Sequence, residues 1–535
     1  MSKFNTRASS SVTPAPRSPM TTTGTATTHE GGAGFTRDAK SELFLTAVTN
    51  MVGEDTFYES ASERDNRYAV LVRQVTLEDP GWMWRFIGWL RNSAHMRSAS
   101  VVAAAEAVLA RREAGVSGNF DLPGRPGEGA TRSFIPQAMA RADEPGEFLA
   151  YWTGKWGKKL PSSVKRGLAD AVVGLFDEYA YAKYGRKEGF QLADIVDLVH
   201  PGHKAPWQAD LWVHALNERH KRDAAIPASL TMLHSRKDLM EIPQDARRAF
   251  MANDMAADCF KRAGMTWEQL SGWLGGELDA SFWESLIPTM GYMALLRNLR
   301  NFEKAGISRA ARKAVQERLA DPEQVVRSRQ FPYRFLSAYR AVESDWWAEA
   351  LSDALDASVG SLPRFPGKTL VLVDTSGSML GHVSEKSSVR HVDIGALFGV
   401  ALARGGNDVE LVGYADRTFV HELPKGGSVL RGIDSLVGRI GQVGYGTQTV
   451  QAIRQHHWGH DRVVVVTDGQ AFPSWQGSVS AAVPAGVRLY GIGPVSYRAT
   501  SLDLSTPNRY EIAGFSDQVF RMIGLIEAGS ADWPF

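Results

Sequence analysis

Thr369-Leu370-Val371-Leu372-Val373 runs straight into Asp374-Thr375-Ser376-Gly377-Ser378. An unbroken apolar run that stops at turn residues reads as a strand buried on both faces, the signature of a parallel sheet with helices packed on either side. Ligands of such sheets sit beyond the carboxyl ends of the strands. Just past this strand, Asp374, Ser376 and Ser378 offer oxygen-bearing side chains at alternate positions. A hard cation, above all Mg²⁺, takes such oxygens in near-octahedral geometry and keeps some waters. The expected site is incomplete, with an open position for a carboxylate or phosphate from a partner. Ser-Gly-Ser is also ordinary turn chemistry, so the rest of this half has to decide.

From Leu362-Pro363-Arg364-Phe365-Pro366-Gly367 onward, apolar runs alternate with helical stretches. Strands are expected at 368–374, 408–414, 418–421, 462–467 and 487–492, and helices at 389–404, 428–439, 448–457 and 516–527. That alternation implies a doubly wound α/β domain. Two more oxygen donors fall at loop positions. Thr447 follows Gly444-Tyr445-Gly446, and Asp468 follows the strand Val463-Val464-Val465-Val466-Thr467. Together, Asp374, Ser376, Ser378, Thr447 and Asp468 resemble the metal-ion-dependent adhesion site of von Willebrand factor A domains. The resemblance implies that fold and a divalent cation. One departure is Gln448, where many such domains carry an Asp that supports the metal from outside.

A chain of 535 residues exceeds a single core. Residues 1–34 are rich in Ser, Thr, Pro, Gly and Ala and are expected to form a disordered tail. Residues 35–362 read as helices throughout, among them 63–77, 81–94, 97–113, 164–184, 191–199, 207–220, 245–263 and 284–304. Pairs at roughly 40-residue spacing fit a HEAT-like stack. Residues 363–535 form the α/β half. The net charge of +1 means that any nucleic-acid contact needs a local patch. The single cysteine, Cys259, excludes an internal disulfide framework and fits a reducing compartment. No apolar run approaches the roughly 18 residues of a membrane span, and the N-terminus lacks a signal-peptide core. A cytoplasmic protein without membrane contact is expected.

A local basic patch exists. Between 155 and 187 lie Lys155, Lys158, Lys159, Lys165, Arg166, Lys183, Arg186 and Lys187, eight basic residues in 33 positions against three acidic ones, with His200, His203 and Lys204 following. Such a patch is either a phosphate-binding surface or a solvated helix face. Tyr179, Tyr181 and Tyr184 are interleaved with it, to stack bases or to pack in a core. His200, closing a helix, is equally a C-terminal capping residue. Arg297 and Arg300 flank an apolar helix, where they contact RNA or tie neighbouring repeats together.

Three stretches, in order, resemble the Ro ribonucleoprotein family, whose helical part is the TROVE module. They are Asp194-Ile195-Val196-Asp197-Leu198-Val199-His200-Pro201, Pro288-Thr289-Met290-Gly291-Tyr292-Met293-Ala294-Leu295-Leu296-Arg297-Asn298-Leu299, and Phe331-Pro332-Tyr333-Arg334-Phe335-Leu336. The resemblance implies a helical-repeat ring completed by the A domain. It implies a small noncoding Y-like RNA on the outer surface and the single-stranded 3′ ends of misfolded RNAs in the hole. It places Y RNA contacts on Lys183, Lys187 and His200, with Lys187 where animal members carry Arg. Lysine there keeps the charge and loses the bidentate fork. A 3′-exoribonuclease is the partner such a protein would tether.

No Walker loop, GxSxG elbow or HExxH motif is present, and no nucleophile is paired with a base, so the expected protein is not an enzyme. His29-Glu30-Gly31-Gly32 falls in the expected tail. His456-His457-Trp458-Gly459-His460 reads as a surface loop without an acidic partner. Trp82, Trp84 and Trp89 read as packing between helices. The preferred function is an RNA-binding scaffold for RNA quality control. The alternative is a metal-dependent protein-interaction scaffold built on the A domain.

Overall fold

The structure is a computed structural model that describes residues 18–49, 53–184, 189–253, 255–276, 278–359, 365–385, 387–405, 408–423, 427–515, 518–529 and 532–535. Helices fill the chain from Ala39–Thr49 to Ala348–Ser358. Local chemistry starts many of them. Ser60 and Glu63 form a reciprocal capping box ahead of Ala61–Glu78. The Asp79 carboxylate caps Pro80–Asn92, which has Pro at its first position. Arg97–Glu113 is alanine-rich and buried along Ala103, Ala104, Ala105 and Ala107, and helices approach it from several sides.

Several long expected helices are broken. The 164–184 stretch divides into Ser162–Leu175 and Glu178–Tyr184, because the Asp177 carboxylate accepts from Ala180 N at 2.7 Å and starts a new helix. The 284–304 stretch divides into Ala280–Leu286, a 3₁₀ turn Ile287–Thr289 holding Pro288, and Tyr292–Ala305. The 245–263 stretch divides into Gln244–Ala246, Arg247–Met251 and Ala256–Arg262.

Eleven strands are labelled β1 (Thr22–Thr27), β2 (Ala33–Arg37), β3 (Phe120–Leu122), β4 (Arg125–Gly129), β5 (Lys368–Asp374), β6 (Asp408–Tyr414), β7 (Thr418–Val420), β8 (Arg462–Val466), β9 (Arg488–Gly493), β10 (Ala499–Thr500) and β11 (Arg509–Ala513). The main sheet has the order β11-β9-β8-β5-β6-β7 and is parallel except for β7, which pairs antiparallel at the edge. From Thr369 to Asp374 every residue of β5 is buried, and so is every residue of β8, so both faces of the sheet are covered. β3 and β4 form a hairpin within the helical half, where no strand was expected, and β10 and β11 are also additional.

The expectation of a disordered tail over 1–34 is corrected. Residues 1–17 lie outside the described residues, but Met20 is buried and β1 and β2 form a hairpin that pairs with β10 of the α/β half. The segment has almost no apolar area of its own. Its order comes from polar contacts to another part of the chain, which composition cannot reveal: Thr22 Oγ1 donates to Asp503 at 2.8 Å, and the Arg37 guanidinium grips Glu511.

Both ends of the helical array dock on the α/β half. Helix Ala39–Thr49 packs on β11. Trp533 and Phe535 insert beside Phe44 and Trp82, with ring centroids 5.2 to 6.4 Å apart. At the other end Ala348–Ser358 packs on Val429–Val437, and Arg340 makes a two-bond pair with the buried Asp393 at 2.7 and 2.9 Å. An open helical stack leaves apolar faces at its termini; here the α/β half covers both. Among the described residues no helix is long and apolar enough to cross a membrane.

Candidate metal centre and nucleic-acid surface

Asp374 at the carboxyl end of β5, and Ser376, Ser378, Thr447 and Asp468 on the loops of that edge, are the five expected cation donors. Asp374 ends β5, and its Oδ1 accepts from Ser376 N at 2.8 Å. Ser376 Oγ and Ser378 Oγ lie 3.2 Å apart. Asp468 follows β8, with Oδ1 accepting from Gln470 N at 3.0 Å. Thr447 lies on the adjoining loop, tied to both neighbours: Phe472 N donates to Thr447 O at 3.2 Å, and Gly377 N donates to Tyr445 O at 2.9 Å. All five residues are buried.

The glycines around Thr447 are required by close approach. A Cβ on Gly444, whose φ is +88°, would lie 1.9 Å from Asp416 Oδ2, and one on Gly446 would lie 2.1 Å from Asp416 Oδ1. The Asp416 carboxylate also accepts from Tyr445 N at 3.1 Å. Asp416 therefore shapes the loop that carries Thr447. Its position just beyond β6, on the same edge, was the available sequence signal.

Two buried carboxyls give the site its electrostatic character. Burial, and then the charge of Asp468, push the Asp374 carboxyl well above its usual range, although Ser376 and Thr467 donate to it. Burial likewise raises Asp468, with bonds from Gln470 N and Ser378 only partly offsetting this. Asp374 Oδ2 is held by Thr467 Oγ1 at 2.7 Å and by Tyr414 OH at 3.3 Å, two supports that sequence reading had assigned only to strands. Asp468 Oδ2 is buried and accepts no hydrogen bond. A buried carboxylate oxygen without a hydrogen bond, on a group whose charge raises a second buried carboxyl, is an unfavourable arrangement that a divalent cation would relieve. Two carboxylates with three hydroxyls suit a hard, oxygen-seeking ion. Among the described residues no group of three or more His, Cys, Asp and Glu side chains is arranged to hold a metal.

The histidine run is not a loop without acidic partners, as had been expected. His456 Nδ1 lies 3.1 Å and His460 Nε2 3.4 Å from the Glu410 carboxylate, which β6 contributes. Both imidazoles are buried, so their role is to tie Thr449–His456 and the following turn to the sheet.

On the helical half, Lys183 is exposed, with its ammonium 5.1 Å from the Tyr184 ring centroid and 5.7 Å from that of Tyr179. It lines a cavity of about 810 Å³ together with Tyr181, Arg236, Lys237 and Trp273. Lys187 lies outside the described residues, as does Arg186. His200 adopts φ +47° and closes Leu192–Val199, its N–H donating to Val196 O at 3.0 Å while the imidazole is exposed. The backbone of His200 is thus the cap, and the ring remains available to a ligand. It is not among the residues lining the Lys183 cavity. Lys158, Lys159, Lys165 and Arg166 are exposed, whereas Lys155 pairs with the buried Glu106 at 2.7 Å. Of the tyrosines, Tyr179 is 45% exposed and free to stack, while Tyr181 donates to Glu218 and Tyr184 contacts Arg141.

Residues 260–353 match the family model of the TROVE domain. The chain thus carries a segment similar to the TROVE domain. Over 80 residues, 15% of the chain, it is 42% identical to telomerase protein component 1 of Mus musculus and 41% identical to that of Rattus norvegicus. The match spans 3% of the length of those relatives. The solved structure of the Ro (RSR) protein of Deinococcus radiodurans superimposes with a TM-score of 0.61 at 18% identity, over 92% of this chain and 100% of that one. The two share a fold.

Within the TROVE segment, Met290, Leu295, Leu296 and Leu299 are buried, which explains the apolar spacing of the second stretch. Arg297 and Arg300 are exposed and make no hydrogen bond or ion pair among the described residues. Arg318, unnoticed in the sequence, ties the neighbouring repeats instead, donating to Ile287 O at 2.7 Å and Met290 O at 2.6 Å. The tryptophans pack as expected in part: Trp82 and Trp89 are buried among Phe44, Phe86 and Phe535.

Proposed function

We propose that this protein is a non-enzymatic, cytoplasmic RNA-binding scaffold. It holds a Y-like small noncoding RNA, engages single-stranded 3′ ends of misfolded or decaying RNA, and presents them to a 3′-exoribonuclease. The observation that carries the reading is the TROVE match joined to a fold shared with a Ro protein over nearly the whole chain. The exposed cations Lys158, Lys159, Lys165, Arg166 and Lys183 support it, since they supply phosphate contacts on an otherwise neutral molecule. Lys183, Lys187 and His200 are the proposed Y RNA contacts. The α/β half is a von Willebrand factor A domain whose Asp374, Ser376, Ser378, Thr447 and Asp468 hold Mg²⁺.

The test is crosslinking and sequencing of bound RNA in cells, comparing the unmodified chain with Lys183→Ala/Lys187→Ala/His200→Ala. The expected result is enrichment of one or two structured small RNAs that the triple variant loses while other RNA ends are still recovered. An absence of enrichment over background would overturn the reading.

A further inference from the structure

Three segments of the helical half meet around a cavity of about 480 Å³: the end of Arg97–Glu113, the 3₁₀ turn Thr131–Ser133 and the start of Ser162–Leu175. Two contacts set their spacing. Arg111 Nε donates to Thr131 Oγ1 at 3.0 Å, which ties the first helix to the turn. Gly167 lets the second helix press on the same turn, because a Cβ there would lie 2.6 Å from Arg132 O. Each segment brings cations. Arg111, Arg112, Arg132 and Arg166 line the cavity with Ser162 and Ser163, and no Asp or Glu is among its lining residues.

These charges are not neutralised within the fold. Arg111 is 3% exposed, and its guanidinium donates to Thr131 Oγ1 and Gly118 O but to no carboxylate among the described residues. Burial disfavours its charge, and no acidic neighbour restores it. Buried charges are ordinarily paired. Arg112 and Arg166 are exposed, and their side chains make no hydrogen bond or ion pair among the described residues. Arg132 alone meets a carboxylate, Asp170 at 3.3 Å, and that pair is about half exposed, so it holds weakly against a competing anion. The Ser162 and Ser163 hydroxyls make no hydrogen bond among the described residues, and no side chain caps the helix they begin. Guanidinium forks and hydroxyls gathered in one recess suit a tetrahedral oxyanion, and the first-turn amides of the helix add to them.

We propose that this cavity is a phosphate site that takes the terminal phosphate of an RNA strand. The inference rests on the RNA-binding reading given above and names the phosphate that this part of the surface selects. A phosphomonoester carries about two negative charges at neutral pH and three acceptor oxygens. A backbone phosphodiester carries a single charge, and its chain continues on both sides. Four guanidinium groups around one recess match the terminal group, because a strand end can enter where a continuous backbone must pass across. Lys158 and Lys159, exposed just ahead of Ser162, attract the phosphates that follow.

The experiment measures binding of a single-stranded oligoribonucleotide to the full chain by fluorescence anisotropy. The strand carries a 5′-phosphate, a 3′-phosphate or hydroxyls at both ends, and the proteins are the unmodified chain and Arg112→Gln/Arg166→Gln. Inorganic phosphate and a nucleoside monophosphate are titrated separately by calorimetry. The expected result is that a phosphate at one of the two ends tightens binding about tenfold or more. The double variant loses that gain and still binds the hydroxyl-ended strand. Equal affinity of the unmodified chain for phosphate- and hydroxyl-ended strands would leave the RNA reading standing and overturn the terminal-phosphate assignment. A gain that persists in the double variant would place the phosphate elsewhere and overturn the cavity. Inorganic phosphate or the nucleoside monophosphate binding as tightly as the phosphate-ended strand would make the occupant a free small molecule and overturn the RNA-end assignment. No binding of any strand would overturn the RNA reading and this assignment with it. Both substituted residues are exposed, and matching thermal melts of the two proteins confirm that the variant folds.

Discussion

Arg37→Ala should release the N-terminal hairpin without unfolding the rest of the chain. The Arg37 side chain is 1% exposed and that of Glu511 10%, and two parallel bonds join them, Nε to Oε2 at 2.7 Å and Nη2 to Oε1 at 2.5 Å. A third bond runs from Nη1 to Tyr497 O at 2.7 Å. Removing one partner of a buried pair costs about 3–5 kcal/mol, because the surviving charge is left unpaired out of water. The lost carbonyl contact adds about 1 kcal/mol. With a factor of ten per 1.4 kcal/mol, even the lower limit corresponds to roughly a hundredfold more frequent opening. The hairpin is held by few apolar contacts, so this cost should appear as local opening of β1 and β2. The assay is native-state hydrogen exchange of amides 20–37, with Arg37→Met/Glu511→Leu as the control that removes both charges and should recover most of the protection. Protection within threefold of the unmodified protein in Arg37→Ala, or a double variant as labile as the single one, would refute the reasoning.

Further outcomes follow from the site and the domain junction. The Asp374 carboxyl is raised in the folded state, so it contributes stability at low pH that is lost as pH rises through its folded value toward neutrality. In chelator, the melting temperature of the unmodified protein should therefore fall relative to Asp374→Asn over that interval, and saturating Mg²⁺ should remove the difference in a thermal-shift series. Gly446→Ala drives a methyl into Asp416 and should weaken Mg²⁺ binding about tenfold or more by displacing Thr447, as read by calorimetry. Arg340→Ala should loosen the docking of the helical array on the α/β half, at a cost nearer 1–3 kcal/mol, because Arg390 still bonds the buried Asp393. Exchange at 391–404 with and without the substitution measures this. RNA affinity should fall with salt, and Lys158→Ala/Lys159→Ala should lower the slope of log K against log salt by about 1–2, measured by filter binding.

The residues of the proposed cation edge were legible because their placement is local. Asp374, Ser376 and Ser378 lie within five residues, Asp468 directly follows an unmistakable buried strand, and apolar runs such as β5 and β8 leave no choice of face. Helix starts at Ser60 and Asp79 were equally local. The breaks at Asp177 and Pro288 were missed because apolar periodicity continues across them while a cap or a proline ends the hydrogen-bond ladder. What depended on distant partners was invisible. The hairpin of residues 22–37 carries too little apolar surface to order itself, and Glu410 meets His456 and His460 across the sheet from 46 and 50 positions away.

By itself, then, the sequence determined a helical half, a parallel α/β half and five oxygen donors, because strand burial, helix period and turn chemistry act over a few residues. Only the tertiary structure decided that both ends of the helical array dock on one α/β half, through Trp533 and Phe535 beside Phe44 and through Arg340 on Asp393. It also decided that the turn between β1 and β2 lies on the loop that follows Asp468, where Thr28 Oγ1 and Gly32 N donate to Ala471 O and His29 N donates to Gln470 Oε1. Those outcomes rest on desolvated ion pairs and close backbone contacts between segments hundreds of residues apart, and their energy exists only once the partners meet.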